Sequence, residues 1–201
     1  MAEKNVSSAE IICYYTGCII LGVAFLMMIP IITALIFAEW NPFLDFVVSM
    51  AVSVLVGAAL ILLGRHTRQN HVSVQWKHGF VVASLSWIIL MMLCAIPYYL
   101  SGHVNSFLDA CFDVMSGFTT TGLVLTQDLD HLSSGLNMWR HMLTFIGGQG
   151  MVVLALTFMV KEASGAYKFY VGEGKDIELV PNVKGTARII WKISMIYLVI
   201  G

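Results

Sequence analysis

Charged residues are scarce in this sequence of 201 amino acids: Asp, Glu, Lys and Arg make up only 11% of it, while 58% is hydrophobic. An average soluble domain has about 25% charged and roughly 45–50% apolar residues, so the composition excludes an ordinary soluble protein. No charged residue lies between Glu10 and Glu39, Asp45 and Arg65, Lys77 and Asp109, or Arg140 and Lys161. Each gap is about 20 residues or longer, which is enough for a helix to cross roughly 30 Å of hydrocarbon.

An excess of either charge and a cysteine framework are also missing. The formal net charge is −1, and no basic stripe interleaved with aromatic residues is present, which excludes nucleic acid as a partner. The four cysteines, Cys13, Cys18, Cys94 and Cys111, show no CxxC spacing. We interpret them as small apolar packing residues rather than metal or redox ligands.

The charge-free gaps predict four membrane spans and the start of a fifth. The first contains Pro30, which membrane helices tolerate, and the short link Glu39–Pro42 makes the first two spans an antiparallel hairpin. The predicted spans are Ile11–Ala38, Phe43–Leu63, Gly79–Leu100 and Met138–Val160, and the last helix begins near Ile189.

The distribution of Lys and Arg predicts the orientation in the membrane, because these residues remain on the cytoplasmic side of short loops. A cytoplasmic N-terminus places ten of the eleven inside and leaves only Arg140 outside. This holds only if the stretch Gly102–Asn137 begins and ends on the external side without crossing.

Within that stretch, Ser106-x-x-Asp109 has the form of a helix start. A helix from there to Gly117 has about 11 residues and a length of roughly 16 Å, half a bilayer. The run Phe118–Leu125 then has the β-branched residues and the glycine of an extended segment. The pattern predicts a re-entrant loop lined by protein or water, with a polar external loop as the alternative.

A re-entrant loop of this kind suits a cation. The carbonyl end of a half-helix carries partial negative charge, and an extended Thr-Thr-Gly run can present carbonyl oxygens that replace an ion's hydration shell. Gly122 fits because such a segment needs backbone angles that a Cβ forbids.

The residues around this loop resemble a known family. The run Asp109–Gly122 (DACFDVMSGFTTTG), Trp139-Arg140 and the run FIGGQGMVVLAL from Phe145 are similar to the first pore unit of the Trk/Ktr/HKT superfamily of potassium transporters, above all the bacterial TrkH-type membrane subunit. Gln149 departs from the methionine of many relatives.

The resemblance implies an all-α integral membrane protein: an N-terminal helical hairpin, then an M1–P–M2 (potassium-channel-like) pore unit with a re-entrant pore helix and filter loop. Four such units would surround one ion path. Filter carbonyls would come from Thr120, Thr121, Gly122 and Leu123, with potassium held at the first three.

The expected organisation is a hairpin at 1–64, a cytoplasmic loop at 65–78, the first pore unit at 79–160, a cytoplasmic linker at 161–188 and the start of the next unit at 189–201. Because one unit cannot close a pore, we expect the N-terminal portion of a longer subunit.

The function implied is potassium uptake across the bacterial cytoplasmic (inner) membrane, with coupling to sodium or protons left open. The resemblance implies potassium as substrate, contact with membrane lipid, a homodimer and a cytosolic nucleotide-binding regulatory subunit, with no cofactor and no enzymatic activity. The alternatives are a non-transporting membrane scaffold and an intramembrane hydrolase that uses Ser116 as nucleophile and His141 as base.

Weaker patterns have structural interpretations. The glycines of Gly147-Gly148-Gln149-Gly150 favour close helix packing, and Gly135 is placed in the outer loop beyond the filter. The run Val171–Asp176 lacks the spacing of a phosphate loop. The histidines His66, His71 and His78 are interpreted as part of a solvated loop. For Asp109 and Asp113, local hydrogen bonding and attraction of external cations both remain open.

Overall fold

A computed structural model describes residues 7–69, 76–126, 128–150 and 183–200 of the chain, and every regular element in these ranges is helical. The helices are α1 (Ser8–Leu26), α2 (Met28–Ile36), α3 (Trp40–Leu63), α4 (Arg65–Gln69), α5 (Trp76–Leu100), α6 (Phe107–Phe118), α7 (described over 134–150) and α8 (Val183–Ile200). A short 3-10 turn, Leu129–His131, precedes α7.

Three stretches in the described part of the chain are long and apolar enough to cross a membrane: Ser8–Ile36, Trp40–Leu63 and His78–Leu100, with mean hydropathies of 2.8, 2.7 and 2.4. Large apolar side chains such as Phe25, Ile36 and Leu55 are exposed on them, each to 69% or more. Helices with such surfaces are suited to contact with lipid, as the composition predicts.

The first span is interrupted where the sequence predicts one continuous helix. It divides at Met27 into α1 and α2. Pro30 explains the position of the break, because a proline ring clashes with the carbonyl four residues earlier, here that of Leu26, and supplies no N–H to it. Hydrogen bonds from Met27 N to Val23 O (3.1 Å) and from Ile31 N to Met27 O (3.3 Å) carry the chain across the break.

The predicted antiparallel hairpin is confirmed, and glycines allow its helices to approach closely. A Cβ on Gly17 of α1 would lie 2.8 Å from the carbonyl oxygen of Gly57 of α3. Seven residues further along, a Cβ on Gly64 would lie 2.5 Å from the carbonyl oxygen of Glu10. The pairs 17/57 and 10/64 share one antiparallel register, so α1 and the end of α3 form a close-packed seam.

Trp139 of α7 lies in a buried core between α3, α5 and α7. Its side chain is fully buried, its ring meets Phe46 of α3 edge to face at a centroid distance of 6.0 Å, and its indole N–H donates to the carbonyl of Cys94 on α5 at 3.4 Å. A buried indole needs such an acceptor. One side chain thereby links three helices.

Contacts separate the described residues into two compact units: the residues up to Gly117 together with Thr121–Leu143, and Phe118–Thr120 together with the residues from Thr144 on. The core around Trp139 belongs to the first unit. The end of α6 and the second half of α7 belong to the other.

Several helix boundaries differ from those predicted. Helix α4 occupies part of the polar stretch predicted as a loop, and α5, α7 and α8 begin at residues 76, 134 and 183 rather than 79, 138 and 189. Helices α5, α7 and α8 begin earlier than predicted, within the polar residues that precede each apolar run. The reason is that hydrophobicity marks the membrane span, whereas the hydrogen-bonded helix can extend beyond it. The predicted end of the fourth span at Val160, the run Val171–Asp176 and His71 lie outside the described residues.

Candidate functional site

The start of α6 is the one that the sequence predicts. Ser106 Oγ accepts a hydrogen bond from the backbone N–H of Asp109 at 3.1 Å, and Ser106 O accepts from Ala110 N at 3.2 Å. Asp109 lies in the first turn, where its charge is favourable beside the positive end of the helix. The helix has 12 residues and a length of roughly 18 Å, too short to cross a membrane.

The helix ends one residue beyond the predicted Gly117, with the longer of the two hydrogen bonds of a Schellman motif. Thr121 N donates to Ser116 O at 2.9 Å, while Thr120 between them has a φ of +55°. Glycine usually takes this left-handed position, and a β-branched residue there is strained. The prediction of an extended segment directly from Phe118 is therefore wrong: the chain makes a left-handed turn first.

Gly122 adopts a φ of +80°, and a Cβ built on it would have no heavy atom within 4 Å. The expectation that this glycine takes angles unsuited to a side chain is confirmed. Thr121 and Leu123 have negative φ, since neither is among the residues with positive φ. Along Thr120–Leu123 the sign of φ thus alternates.

The carboxylate of Asp113 on α6 binds the chain that follows this segment. Its Oδ1 accepts from Leu125 N at 2.6 Å, and its Oδ2 accepts from Thr126 N at 2.9 Å. The hydroxyl of Thr126 donates to the same Oδ2. Asp113 therefore takes part in hydrogen bonding, but with residues 12 and 13 positions further along the chain rather than with its neighbours on α6.

The glycines in the second half of α7 differ from one another. A Cβ on Gly147 would overlap the backbone carbonyl of Phe118 at the end of α6, whereas a Cβ on Gly148 would lie 3.6 Å from Thr120 Cγ2, an ordinary contact. A Cβ on Gly150 would meet nothing within 4 Å. The predicted close packing is thus confirmed for Gly147, and its partner is the end of a short helix rather than the side of a membrane span.

The start of α7 depends on a residue that sequence reasoning did not identify. The carboxylate of Glu39, in the turn between α2 and α3, accepts from Ser134 N at 2.9 Å and from Gly135 N at 3.2 Å. The placement of Gly135 in an outer loop is wrong: it is buried at the start of α7, and a Cβ there would lie 3.3 Å from Ala34 Cβ. The only signal for Glu39 was an acidic residue in a hairpin turn.

The other candidate residues take separate positions. His66 Nδ1 lies 3.6 Å from Glu10 Oε2, and His78 Nε2 lies 3.2 Å from Ser8 Oγ. Among the residues that the structure describes, no three His, Cys, Asp or Glu side chains gather as a metal site. Ser116 is buried whereas His141 is exposed, which does not favour their use as nucleophile and base.

Comparison with known proteins gives the family. A model of the family described as "TrkH: Cation transport protein" matches residues 44–201. The Trk system potassium uptake protein TrkH of Halomonas elongata is 32% identical over 193 residues, which cover 92% of this chain and 39% of that protein. An uncharacterized cation transporter of Methanocaldococcus jannaschii is 30% identical over 192 residues, with coverages of 96% and 39%.

The fold is also that of a solved structure. The crystal structure of the potassium transporter TrkH from Vibrio parahaemolyticus superimposes with a TM-score of 0.72 at 23% identity, covering 92% of this chain and 36% of that one. The chain thus spans about two fifths of the length of the relatives it matches. Because the family model covers most of the chain, this protein belongs to the TrkH family of cation transport proteins.

Proposed function

We propose that this chain supplies the N-terminal hairpin and the first of four pore units of a potassium uptake subunit. In this proposal α6 is a re-entrant pore helix, and Thr120, Thr121, Gly122 and Leu123 contribute carbonyls to one side of a potassium filter. The relatives in Halomonas elongata and Escherichia coli carry the name of potassium uptake proteins, which supports potassium as the substrate.

The backbone of Thr120–Leu123 carries the proposal. Two left-handed residues, Thr120 and Gly122, follow the end of α6 directly. The partial negative charge at that helix end favours a cation over an anion, and the backbone carbonyls of such a segment can replace the hydration shell of a dehydrated ion. A polar external loop would need neither feature.

The surroundings of the subunit follow from the same proposal. The distribution of Lys and Arg supports a cytoplasmic N-terminus, and the bacterial cytoplasmic (inner) membrane is an expectation from the family resemblance. One filter segment supplies about a quarter of the oxygen ligands of a fourfold ring, so the remaining units must come from elsewhere in the subunit. A homodimer and a cytosolic nucleotide-binding regulatory subunit remain expectations from the family resemblance.

Gly122→Ser in the complete subunit tests this function. A side chain at a left-handed position costs about 1–2 kcal/mol, so the carbonyls should shift and selectivity for potassium over sodium should fall about tenfold. The measurement is growth of a transporter-deficient bacterial strain on limiting potassium, with and without excess sodium, together with the amount of subunit in the membrane.

Gly102→Ser is the matched control, since Gly102 has a φ of +72° and equally open surroundings but lies before α6. It should cause the same backbone strain and leave selectivity unchanged. Wild-type potassium affinity and sodium exclusion in Gly122→Ser would contradict the filter assignment.

A further inference from the structure

The filter segment, which we define as Thr120–Leu123 together with the residues that lead on to Thr126, is attached to α6 at both of its ends. At the near end, Thr121 N donates to Ser116 O at 2.9 Å. At the far end, the Asp113 carboxylate accepts the backbone N–H groups of Leu125 and Thr126 and the hydroxyl of Thr126. Residues 113 and 116 lie one helical turn apart, so a single turn of α6 holds both ends.

Packing holds the middle of the segment only weakly. The position of a Cβ on Gly122 is open, and the side chain of Leu123 is 59% exposed. Thr126, by contrast, is buried, with 7% of its surface exposed. The carboxylate therefore secures a buried anchor just beyond the exposed residues Gly122 and Leu123.

Hydrogen bonds to a charged acceptor are among the strong ones, with short donor–acceptor distances. The carboxylate of Asp113 receives three, two of them from consecutive backbone N–H groups. A neutral amide could accept with its oxygen alone and would turn its own N–H groups toward the backbone donors. The negative charge at this position is thus used to fix the path of the backbone.

We infer that Asp113 is a positioning residue for ion selectivity: by binding Leu125 and Thr126 it fixes the far end of the filter segment and so the spacing of the carbonyls at Thr121–Leu123. This inference rests on the proposed function. It differs from a role in attracting cations, in which the charge itself would matter and the hydrogen bonds would not.

Asp113→Asn in the complete subunit separates the two roles, with Asp109→Asn as the matched control. Both variants remove one negative charge from α6, and only the first weakens the hydrogen bonds that hold Leu125 and Thr126. We expect Asp113→Asn to lower selectivity for rubidium, a potassium tracer, over sodium about tenfold. Asp109→Asn should keep the wild-type ratio. Uptake into cells at several sodium concentrations, normalised to subunit in the membrane, measures both.

Thr126→Val provides a second test, because it removes only the hydroxyl and keeps the carboxylate and both backbone donors. We expect a loss of about threefold, since one of three hydrogen bonds disappears. In the double variant with Asp113→Asn the two losses should not add, as both act on one network. If Asp113→Asn fails to reach the membrane, Thr126→Val decides the question.

Wild-type selectivity in Asp113→Asn would overturn the inference. If that variant does not reach the membrane, wild-type selectivity in Thr126→Val would overturn it. So would equal loss of uptake in Asp113→Asn and Asp109→Asn with unchanged selectivity, the result expected for attraction of cations. Gly122→Ser in the same assay keeps the two proposals apart. If it alters selectivity and Asp113→Asn does not, only the positioning role fails; if it has no effect, the filter assignment fails.

Discussion

At the scale of single residues, Gly147 and Gly148 are neighbours on α7 with different surroundings. A side chain at Gly147 would overlap the backbone of Phe118, and one at Gly148 would make an ordinary contact with Thr120. A clash with backbone cannot be relieved by a rotamer change, so the backbone at Phe118 and at Gly147 would have to move apart. The sequence GGQG does not distinguish these positions.

Alanine substitutions at these two glycines should have different effects on stability. In a helix, alanine is favoured over glycine by about 1 kcal/mol, so Gly148→Ala should be neutral or stabilising. Gly147→Ala should instead be destabilising by about 1–3 kcal/mol, as expected of an overpacked position. Thermal unfolding of the chain in detergent micelles measures both, and equal midpoints would show that the backbone of Phe118 does not pack against Gly147.

Local patterns predicted those parts of the site that depend on neighbouring residues. Ser106 was identified as a helix cap because its partner lies three residues away, and Gly122 was identified by its residue type. The hydrogen bonds of Asp113 with Thr126 and of Glu39 with Ser134 join residues 13 and 95 positions apart. Only the course of the chain brings such pairs together, so no periodicity or spacing could indicate them.

At the scale of elements, the hairpin and α7 are linked through a helix start. Four N–H groups at the beginning of a helix have no partner within it. At α7, Ser133 Oγ accepts from Leu136 N at 3.3 Å, and Glu39 accepts from Ser134 and Gly135. A carboxylate at this position is also favoured by the helix dipole. The turn of the hairpin thereby anchors the start of α7.

Glu39→Gln should lower the stability of the chain, because the amide keeps one acceptor oxygen and loses the charge. The expected cost is about 1 kcal/mol, which corresponds to roughly 2–4 °C in the unfolding midpoint of a chain of this size. Asp130→Asn, an equal change of charge at an exposed position, should leave the midpoint unchanged. An unaltered midpoint in Glu39→Gln would show that the hairpin does not support α7.

At the scale of the whole molecule, the proposal requires the connection between α5 and α7 to begin and end on the external side. Helix α6 is too short to cross a bilayer, and the count of Lys and Arg places only Arg140 outside. Asn105 and His131 are exposed residues near the two ends of this connection. Neither has the left-handed backbone of Gly102, so a cysteine fits at each without strain.

Single cysteines at Asn105 and His131, in a chain whose four native cysteines are replaced, should therefore both react with a membrane-impermeant thiol reagent added to intact cells. Arg65 is exposed just after the C-terminal end of α3, away from the turn that holds Glu39. A cysteine there should react only after the cells are permeabilised. The three positions together determine the topology, because a crossing between residues 105 and 131 would place their thiols on opposite sides. Reaction of only one of the two from outside would mean that α6 and the following segment traverse the membrane, and the carbonyls of Thr120–Leu123 could not then form the turn of a re-entrant filter.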